Sequence, residues 1–271
     1  MALDDIARRG LVLLGCGKMG GAMLEGWLAR GLPPGSVWVL DPAPPEGLGP
    51  RGVHLNEDPP ARPAVALVAV KPQMMDTALP RLAGITGPDT LVISVAAGTP
   101  LSRFETAFGA ETPVIRAMPN TPAAVGAGIS AIIGNAAARE AHLALAEELL
   151  SAVGQVVRLA HEDQMDAVTG VSGSGPAYVF HMIEALAQAG EAEGLARDLA
   201  MALARATVAG AGALAAQSEE SAETLRRNVT SPGGTTAAGL EVLMDEAQGL
   251  PPLMRRTVAA AAARARELRD G

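Results

Sequence analysis

Three glycines near the N-terminus have a spacing that suits the binding of a dinucleotide. Gly15, Gly17 and Gly20 form the pattern G-x-G-x-x-G directly after a run of four apolar residues. In a strand–turn–helix unit the first glycine permits a tight turn, the second lets a pyrophosphate approach the backbone, and the third lets helix and strand pack closely. The positive end of the following helix faces the anion. We therefore predict a dinucleotide site at Gly15, Gly17, Lys18, Met19 and Gly20, rather than a glycine-rich turn that binds nothing.

A carboxylate stands where the second strand of such a unit should end. Asp41 follows the apolar run Val37–Leu40 and comes about 20 residues after the glycine pattern, where an acidic side chain accepts hydrogen bonds from the adenosine ribose of NAD. A carboxylate there repels the 2′-phosphate of NADP, and Pro42 and Ala43 place no arginine immediately after it. The pattern favours NAD(H), although Asp41-Pro42 is also a common start of a turn.

A lysine follows a third apolar run, Ala64–Val70. Its continuous hydrophobicity predicts a strand buried on both faces, as in a parallel sheet, and Pro72 keeps the preceding residue extended. Ligands of such sheets bind at the carboxyl ends of the strands. We therefore predict that Ala69, Val70, Lys71 and Pro72 face the cofactor. The alternative is that Lys71 is simply solvated where the strand reaches the surface.

A second cluster of glycine and hydroxyl residues lies in the C-terminal half of the chain. Ser231, Gly233, Gly234, Thr235 and Thr236 belong to the segment Ser-Pro-Gly-Gly-Thr-Thr. Glycine amides can approach an anion without a Cβ in the way, and the hydroxyls add further donors. The segment suits the binding of an anion. A helix N-cap followed by a tight turn is the structural alternative.

The elements that must position these residues differ between the two halves of the chain. Short apolar runs alternate with helical patterns in the first half, which predicts βαβ units and a doubly wound parallel sheet. The predicted strands are Leu11–Leu14, Val37–Leu40, Ala64–Val70, Leu91–Val95, Val114–Ile115 and Ile129–Ile133. The second half shows no strand pattern, and residues such as Val179, Met182 and Leu186 recur at helical spacing. We predict a Rossmann-like dinucleotide-binding domain over residues 1–162 and an all-helical dimerisation and substrate domain over residues 163–271.

Composition excludes several classes of protein. The 271 residues include 21 Lys and Arg against 29 Asp and Glu, and this net charge of −8 disfavours a nucleic-acid binder. One cysteine cannot form an intrachain disulfide or a cysteine-rich metal site, and the four histidines have no metal-ligand spacing. Polar residues interrupt the apolar runs before the roughly 18 residues that a membrane span needs, and no signal-peptide core follows Arg8 and Arg9. We expect a cytoplasmic protein that binds no metal, nucleic acid or membrane.

Several segments together resemble the pyrroline-5-carboxylate reductase family, in the right order from about residue 10 to 268. Besides the glycine pattern, they are Ala69–Gln73, Ser94–Gly98, Arg116–Pro122, Gly173–Tyr178 and Ser231–Thr236. The resemblance implies hydride transfer from NAD(P)H to the cyclic imine 1-pyrroline-5-carboxylate, which gives L-proline in the last step of proline biosynthesis. It also implies a homodimer interlocked through the helical domain, a site formed between one subunit's cofactor domain and the other's helical domain, and in some members a decamer.

The resemblance further implies roles for individual residues. The amides of Gly233, Gly234 and Thr235 would hold the substrate carboxylate, and the Thr236 hydroxyl would lie near the imine nitrogen, where it can donate or relay a proton. The implied cofactor contacts are Asn56 on the adenosine side, Ala96 and Ala97 beside the nicotinamide ribose, and Met118, Pro119 and Asn120 in the nicotinamide pocket. Glu219 resembles an acidic position near the substrate nitrogen in some relatives, but it also fits a solvated turn.

Two other functions stay open at this stage. One is a reductase of the same two-domain plan that acts on another imine or on a hydroxy acid. The latter reaction would need a lysine acid in the second domain, whereas Lys18 and Lys71, the chain's two lysines, lie in the first. The other is a non-catalytic dinucleotide-binding sensor, which has no reason to keep an anion cradle. Asp41 departs from the Ser, Thr, Asn or Arg that often ends the second strand in the family, and it shifts the expected preference toward NADH.

Overall fold

The computed structural model describes residues 2–270. By the contacts between its Cα atoms the chain forms two compact units. The first contains the residues up to Gly173 together with those from Ala261 onward, and the second is Ser174–Ala260. The boundary predicted after residue 162 stays a prediction about where the cofactor-binding and dimerisation regions divide.

Residues 2–270 contain eight strands and twelve α-helices. The strands are β1 (Leu11–Leu14), β2 (Val37–Leu40), β3 (His54–Leu55), β4 (Val65–Val68), β5 (Leu91–Ser94), β6 (Val114–Met118), β7 (Gly128–Gly134) and β8 (Gly154–Arg158). The helices are α1 (Ala2–Arg9), α2 (Lys18–Ala29), α3 (Met75–Ala78), α4 (Pro80–Ala83), α5 (Leu101–Phe108), α6 (Glu140–Leu150), α7 (Gln164–Val168), α8 (Gly175–Ala192), α9 (Arg197–Gln217), α10 (Ala222–Asn228), α11 (Thr235–Leu243) and α12 (Leu250–Asp270). A π-helical turn, Thr169–Gly173, precedes α8.

The strands of the first unit form one sheet in the order β3-β2-β1-β4-β5-β6-β7-β8. The order of the first six, 3-2-1-4-5-6, is that of the doubly wound dinucleotide-binding fold. Neighbouring strands run parallel, except that β7 is antiparallel to β6. The predicted fold class, a mostly parallel Rossmann-like sheet followed by helices, is confirmed.

Apolar side chains cover both faces of this sheet. In β1, Leu11 and Leu13 belong to one buried cluster and Val12 and Leu14 to the other. Trp27 of α2 packs in the first cluster, where its indole N–H donates to the carbonyl oxygen of Leu149 at 2.8 Å. Burial on both faces explains why the central strands are continuously apolar rather than alternating.

The structure differs from the predicted strands in three places. β3 and β8 were not predicted, because β3 has only two residues and β8 lies at the sheet edge with three of its five residues exposed. β6 continues through Met118 beyond the predicted end at Ile115. The charged Arg116 interrupts the apolar pattern, yet it is buried in an ion pair with Glu162, at 2.7 Å between Nη1 and Oε1.

The second unit is helical and buries few large side chains. α8 and α9 pack through small residues, Ala187 against Ala200 and Ala204. Large apolar side chains on these helices are exposed instead, among them Phe180 on α8 and Leu203 on α9. Extended apolar surface of this kind marks a contact with another molecule.

One helix in the described part of the chain, α9, is long and apolar enough to cross a membrane by length and composition. The expectation that polar residues interrupt every such stretch is therefore wrong for α9. Its alanines and glycines keep it apolar although Arg205 lies within it. Only 11% of its most apolar 18-residue stretch is buried within the chain. The rest of this stretch is exposed and forms part of the apolar surface of α8 and α9.

Candidate active site

The glycine pattern lies in the turn between β1 and α2, as predicted. Gly15 has a φ of +91°, and a Cβ there would lie 2.9 Å from the backbone of Ala69. A Cβ on Gly20 would overlap the carbonyl oxygen of Gly15. By contrast, a Cβ on Gly17 would meet no atom within 4 Å. Gly15 and Gly20 thus serve close packing, whereas the space above Gly17 is open to a ligand.

The amino end of α2 is arranged to receive an anion. Gly17 is its N-cap and makes no side-chain capping bond, so the first backbone N–H groups keep their donors for another partner. Lys18 is exposed, whereas Met19 is half-buried and packs against the core. Open space above a glycine beside an uncapped helix end fits a dinucleotide pyrophosphate.

Asp41 is held directly against the glycine turn. Its Oδ2 accepts from the Cys16 N–H at 2.6 Å, and its Oδ1 accepts from the Ala43 N–H at 2.8 Å. Asn56, which has a left-handed φ of 53°, exchanges two bonds with the Asp41 backbone. Its Nδ2 donates to the Asp41 carbonyl at 2.8 Å and its Oδ1 accepts from the Asp41 N–H at 3.1 Å. The predicted Asp41 and Asn56 are therefore neighbours, and a carboxylate lies beside the turn.

The thiol of Cys16 is not a nucleophile in this environment. Burial, followed by the nearby carboxylates of Asp41 and Glu25, raises the pKa of the Cys16 thiol to about 11. Because the thiolate is the reactive form of cysteine, this residue serves packing within the turn.

The residues predicted after β4 and β5 lie at the same carboxyl edge of the sheet. Ala69 donates its N–H to the carbonyl oxygen of Leu14 at 2.8 Å, which places it beside the glycine turn. Val70 is half-buried, and Lys71 and Pro72 are exposed, with Lys71 extended as its proline neighbour predicts. The buried Ala96 and the exposed Ala97 follow β5.

Met118 is the last residue of β6, and Pro119 and Asn120 follow it at this edge, beside the end of β5. Met118 is half-buried and Pro119 is buried. The Asn120 side chain bonds on two sides, since Oδ1 accepts from the Ile129 N–H at 2.9 Å and Nδ2 donates to the Ser172 carbonyl at 3.2 Å. The predicted cofactor residues after β1, β2, β4, β5 and β6 thus share one edge of the first unit.

Sequence reasoning missed the ion pair that supports this edge. Glu162 Oε1 accepts from Arg116 in β6 and also from the backbone N–H of Leu101 at 2.9 Å, where α5 begins. Arg116 is only 3% exposed, so the pair is a fixed part of the sheet edge. The available signal was a charged residue within an otherwise apolar strand, two positions before Met118.

The second unit presents the glycine and hydroxyl cluster at the amino end of α11. Gly233 has a φ of +68°, and the Gly234 N–H donates to the Ser231 carbonyl at 3.0 Å, which closes a tight turn. Gly234 is the N-cap of α11 without a side-chain capping bond. Ser231, Thr235 and Thr236 are exposed, and their hydroxyls make no hydrogen bond within the described residues. The turn begins a helix, but its hydroxyls and first amides remain available to an anion.

Glu219 is the last of the predicted residues. Glu219 is exposed in the turn between α9 and α10 of the second unit, which fits the solvated turn weighed above. In the part of the chain that the structure describes, no group of three His, Cys, Asp or Glu residues could hold a metal ion. A cavity of about 780 Å³ lies at the amino ends of the strands and is lined by Arg9, Arg62 and Arg139. It shares no residue with the predicted site.

Comparisons with known proteins cover both units. Residues 162–268 match the family model described as pyrroline-5-carboxylate reductase dimerisation, and residues 10–98 match the model described as NADP oxidoreductase, coenzyme F420-dependent. The chain is 38% identical over 266 residues to a pyrroline-5-carboxylate reductase of Pseudomonas aeruginosa, covering 96% of this chain and 97% of that protein.

Solved structures give the same result. The chain is similar to a pyrroline-5-carboxylate reductase from Coxiella burnetii, with a TM-score of 0.88, 35% identity and coverage of 96% of this chain and 98% of that one. It is also similar to the Plasmodium falciparum pyrroline carboxylate reductase with NADP bound, with a TM-score of 0.80, 26% identity and coverage of 96% and 98%. The resemblance predicted from the sequence motifs is confirmed.

Proposed function

The chain belongs to the pyrroline-5-carboxylate reductase family, and from this premise we propose that it reduces 1-pyrroline-5-carboxylate to L-proline with NADH in preference to NADPH. It is an NAD(P)H-dependent reductase of proline biosynthesis, like the relatives that match nearly its whole length. The observation that carries the cofactor preference is the carboxylate of Asp41, which is bonded to the glycine turn at Cys16.

The first unit would hold the cofactor, which when bound supplies a hydride to the imine carbon of the substrate. The amino end of α2 and the open space above Gly17 receive the pyrophosphate. Asp41 and Asn56 contact the adenosine side. The residues proposed for the nicotinamide side are Ala96, Ala97, Met118, Pro119 and Asn120, with Ala69, Val70, Lys71 and Pro72 between the two ends.

The second unit would hold the substrate through the uncapped amino end of α11. The amides of Gly233, Gly234 and Thr235 bind the carboxylate, because helix amino ends and turns of this kind favour anions. The Thr236 hydroxyl donates a hydrogen bond to the imine nitrogen and relays a proton to it from solvent, so that the hydroxyl is neutral again at the end of the step. A protonated imine accepts a hydride more readily than a neutral one, so a donor at this nitrogen promotes the reaction. The nitrogen keeps the proton as the carbon gains the hydride, which yields the secondary amine of proline.

Replacement of Asp41 by asparagine tests the preference for NADH. Asp41→Asn removes the charge that repels a 2′-phosphate and keeps one oxygen, which can accept from the Cys16 N–H. Its amide nitrogen replaces the oxygen that accepts from the Ala43 N–H, so this one bond is lost. A charge pair about 4 Å apart near a surface interacts by roughly 1–4 kcal/mol. We expect the ratio of kcat/KM for NADH to that for NADPH to fall by about tenfold, which corresponds to about 1.4 kcal/mol.

Asp89→Asn is the matched control for this experiment. It makes the same change of charge in the same unit, but Asp89 lies before β5 at the opposite edge of the sheet. The ratio should stay as in the unmodified protein. An unaltered ratio in Asp41→Asn as well would show that Asp41 only starts a turn.

The protein is a homo-oligomer through the region that matches the dimerisation model, residues 162–268. This region includes the exposed apolar faces of α8 and α9, whose burial between subunits accounts for their composition. We propose that dimers assemble further into a decamer and that the partner subunit completes each active site. Light scattering of the purified protein should then give ten chains of 27.5 kDa, or 275 kDa. A mass of two chains, 55 kDa, would contradict the decamer and leave the dimer.

We also propose that the protein acts in the cytoplasm. Its acidic composition and the proposed use of soluble NADH support this location. Fractionation of the source cells should recover it with cytoplasmic enzymes rather than with membranes.

A further inference from the structure

One side chain at the end of β6 joins three segments of the first unit. Asn120 Oδ1 accepts from the N–H of Ile129, in β7, at 2.9 Å, and its Nδ2 donates to the carbonyl of Ser172, in the π-helical turn, at 3.2 Å. Both bonds reach backbone groups far along the chain. A half-buried amide used in this way fixes the distance between the segments that it bridges, because breaking either bond leaves a backbone group unpaired.

The π-helical turn packs directly against Met118, two residues before Asn120. A Cβ on Gly173 would lie 2.6 Å from Cε of Met118, so the backbone of the turn is close to this side chain. Turns of π type are rare and frequently occur at functional sites. The position of Met118 and of the buried Pro119 therefore depends on how firmly this turn is held.

We infer that Asn120 is a positioning residue for hydride transfer, holding Met118 and Pro119 against the nicotinamide through its bonds to Ile129 and Ser172. The inference rests on the proposed function, which assigns Met118 and Pro119 to the nicotinamide side. Hydride transfer is sensitive to such positioning, since a misplacement of about 1 Å can cost up to a hundredfold in rate. The two bonds hold its neighbours in place independently of any contact that Asn120 itself makes in the pocket.

The chain contains a matched control for this role. Asn135 bridges backbone groups in a similar way at the other end of β6. Its Nδ2 donates to the Thr112 carbonyl at 3.0 Å, and its Oδ1 accepts from the N–H of Val114 at 3.0 Å and of Ala138 at 3.1 Å. Replacing either asparagine by aspartate keeps the accepting oxygen and removes the donor. The two variants lose the same kind of bond, one beside Met118 and one at the opposite edge of the sheet.

The experiment compares Asn120→Asp and Asn135→Asp in the full-length oligomer. Both should lower Tm by a few degrees. In Asn120→Asp alone, the fluorescence emission of NAD(P)H bound without substrate should change, while its Kd stays within about twofold because the pyrophosphate and adenosine contacts remain. With substrate, kcat should fall by about tenfold, and the primary deuterium isotope effect on kcat should rise, measured with NAD(P)H deuterated at the transferred position.

The outcomes separate the inference from the proposed function. If the unmodified protein does not turn over, the proposed function fails. If it turns over and Asn120→Asp shows the same emission and isotope effect as Asn135→Asp, Asn120 is only structural and the inference is overturned. Should Asn120→Asp fail to fold, Asn120→Ser removes the same donor without adding a charge, and the same two readouts apply to it.

Discussion

Replacing Thr236 by alanine is expected to lower kcat by about a hundredfold, in the range by which a positioned acid accelerates proton transfer. The hydroxyl is exposed at the start of α11 and makes no hydrogen bond within the described residues, so its removal breaks no internal contact. Alanine is also a good helix former. The loss should therefore appear in turnover, with the Kd of NAD(P)H and Tm unchanged.

Thr236→Ser separates the hydroxyl from the rest of the side chain. Serine keeps the donor and loses only the methyl group, so most of the activity should return. Equal turnover in Thr236→Ala and in the unmodified enzyme would remove the assigned role. Equal losses in the alanine and serine variants would assign the effect to packing by the methyl group.

Replacing Gly17 by alanine is expected to raise the Kd of NAD(P)H by about tenfold or more while leaving the free energy of unfolding unchanged. The backbone of Gly17, with φ −72° and ψ −159°, is accessible to any L residue. The new Cβ meets no atom of the protein within 4 Å. It would occupy the space through which a pyrophosphate approaches the backbone, and that space exists only because the second glycine of the pattern lacks a side chain.

Gly20→Ala is the contrasting variant in the same turn. Its Cβ would overlap the Gly15 carbonyl oxygen and lie 3.3 Å from Cβ of Ala69, so it should destabilise the fold by roughly 1–3 kcal/mol, as overpacking does. Chemical denaturation and nucleotide titration of both variants measure the two effects. Tight nucleotide binding by Gly17→Ala would show that the pyrophosphate does not approach this glycine.

The sequence predicted those strands whose limits are set by neighbouring residues along the chain. β1 and β2 begin and end where their apolar runs do, because β1 lies between two glycines and β2 lies between Ser36 and Asp41. β6 was predicted short because Arg116 interrupts it, and its partner Glu162 lies 46 residues away. No local periodicity reports such a pairing.

The same limit applies to the candidate site. The glycine spacing and Asp41 were visible in the sequence because each acts through its own backbone or a fixed offset from a strand. The bonds of Asn120 to Ile129 and Ser172 were not, since they join residues separated by 9 and 52 positions. The apolar residues of α8 and α9 indicated helix contacts, but the match of residues 162–268 to a dimerisation model was needed to assign this region to contacts between subunits.

The most direct test of the central claim is the oxidation of NADH and of NADPH by the purified protein in the presence of 1-pyrroline-5-carboxylate, with proline measured as product. The account predicts one proline formed per nucleotide oxidised, and a higher kcat/KM with NADH than with NADPH. Binding of both nucleotides without any proline would contradict it and would leave a protein that binds dinucleotides but does not reduce this imine.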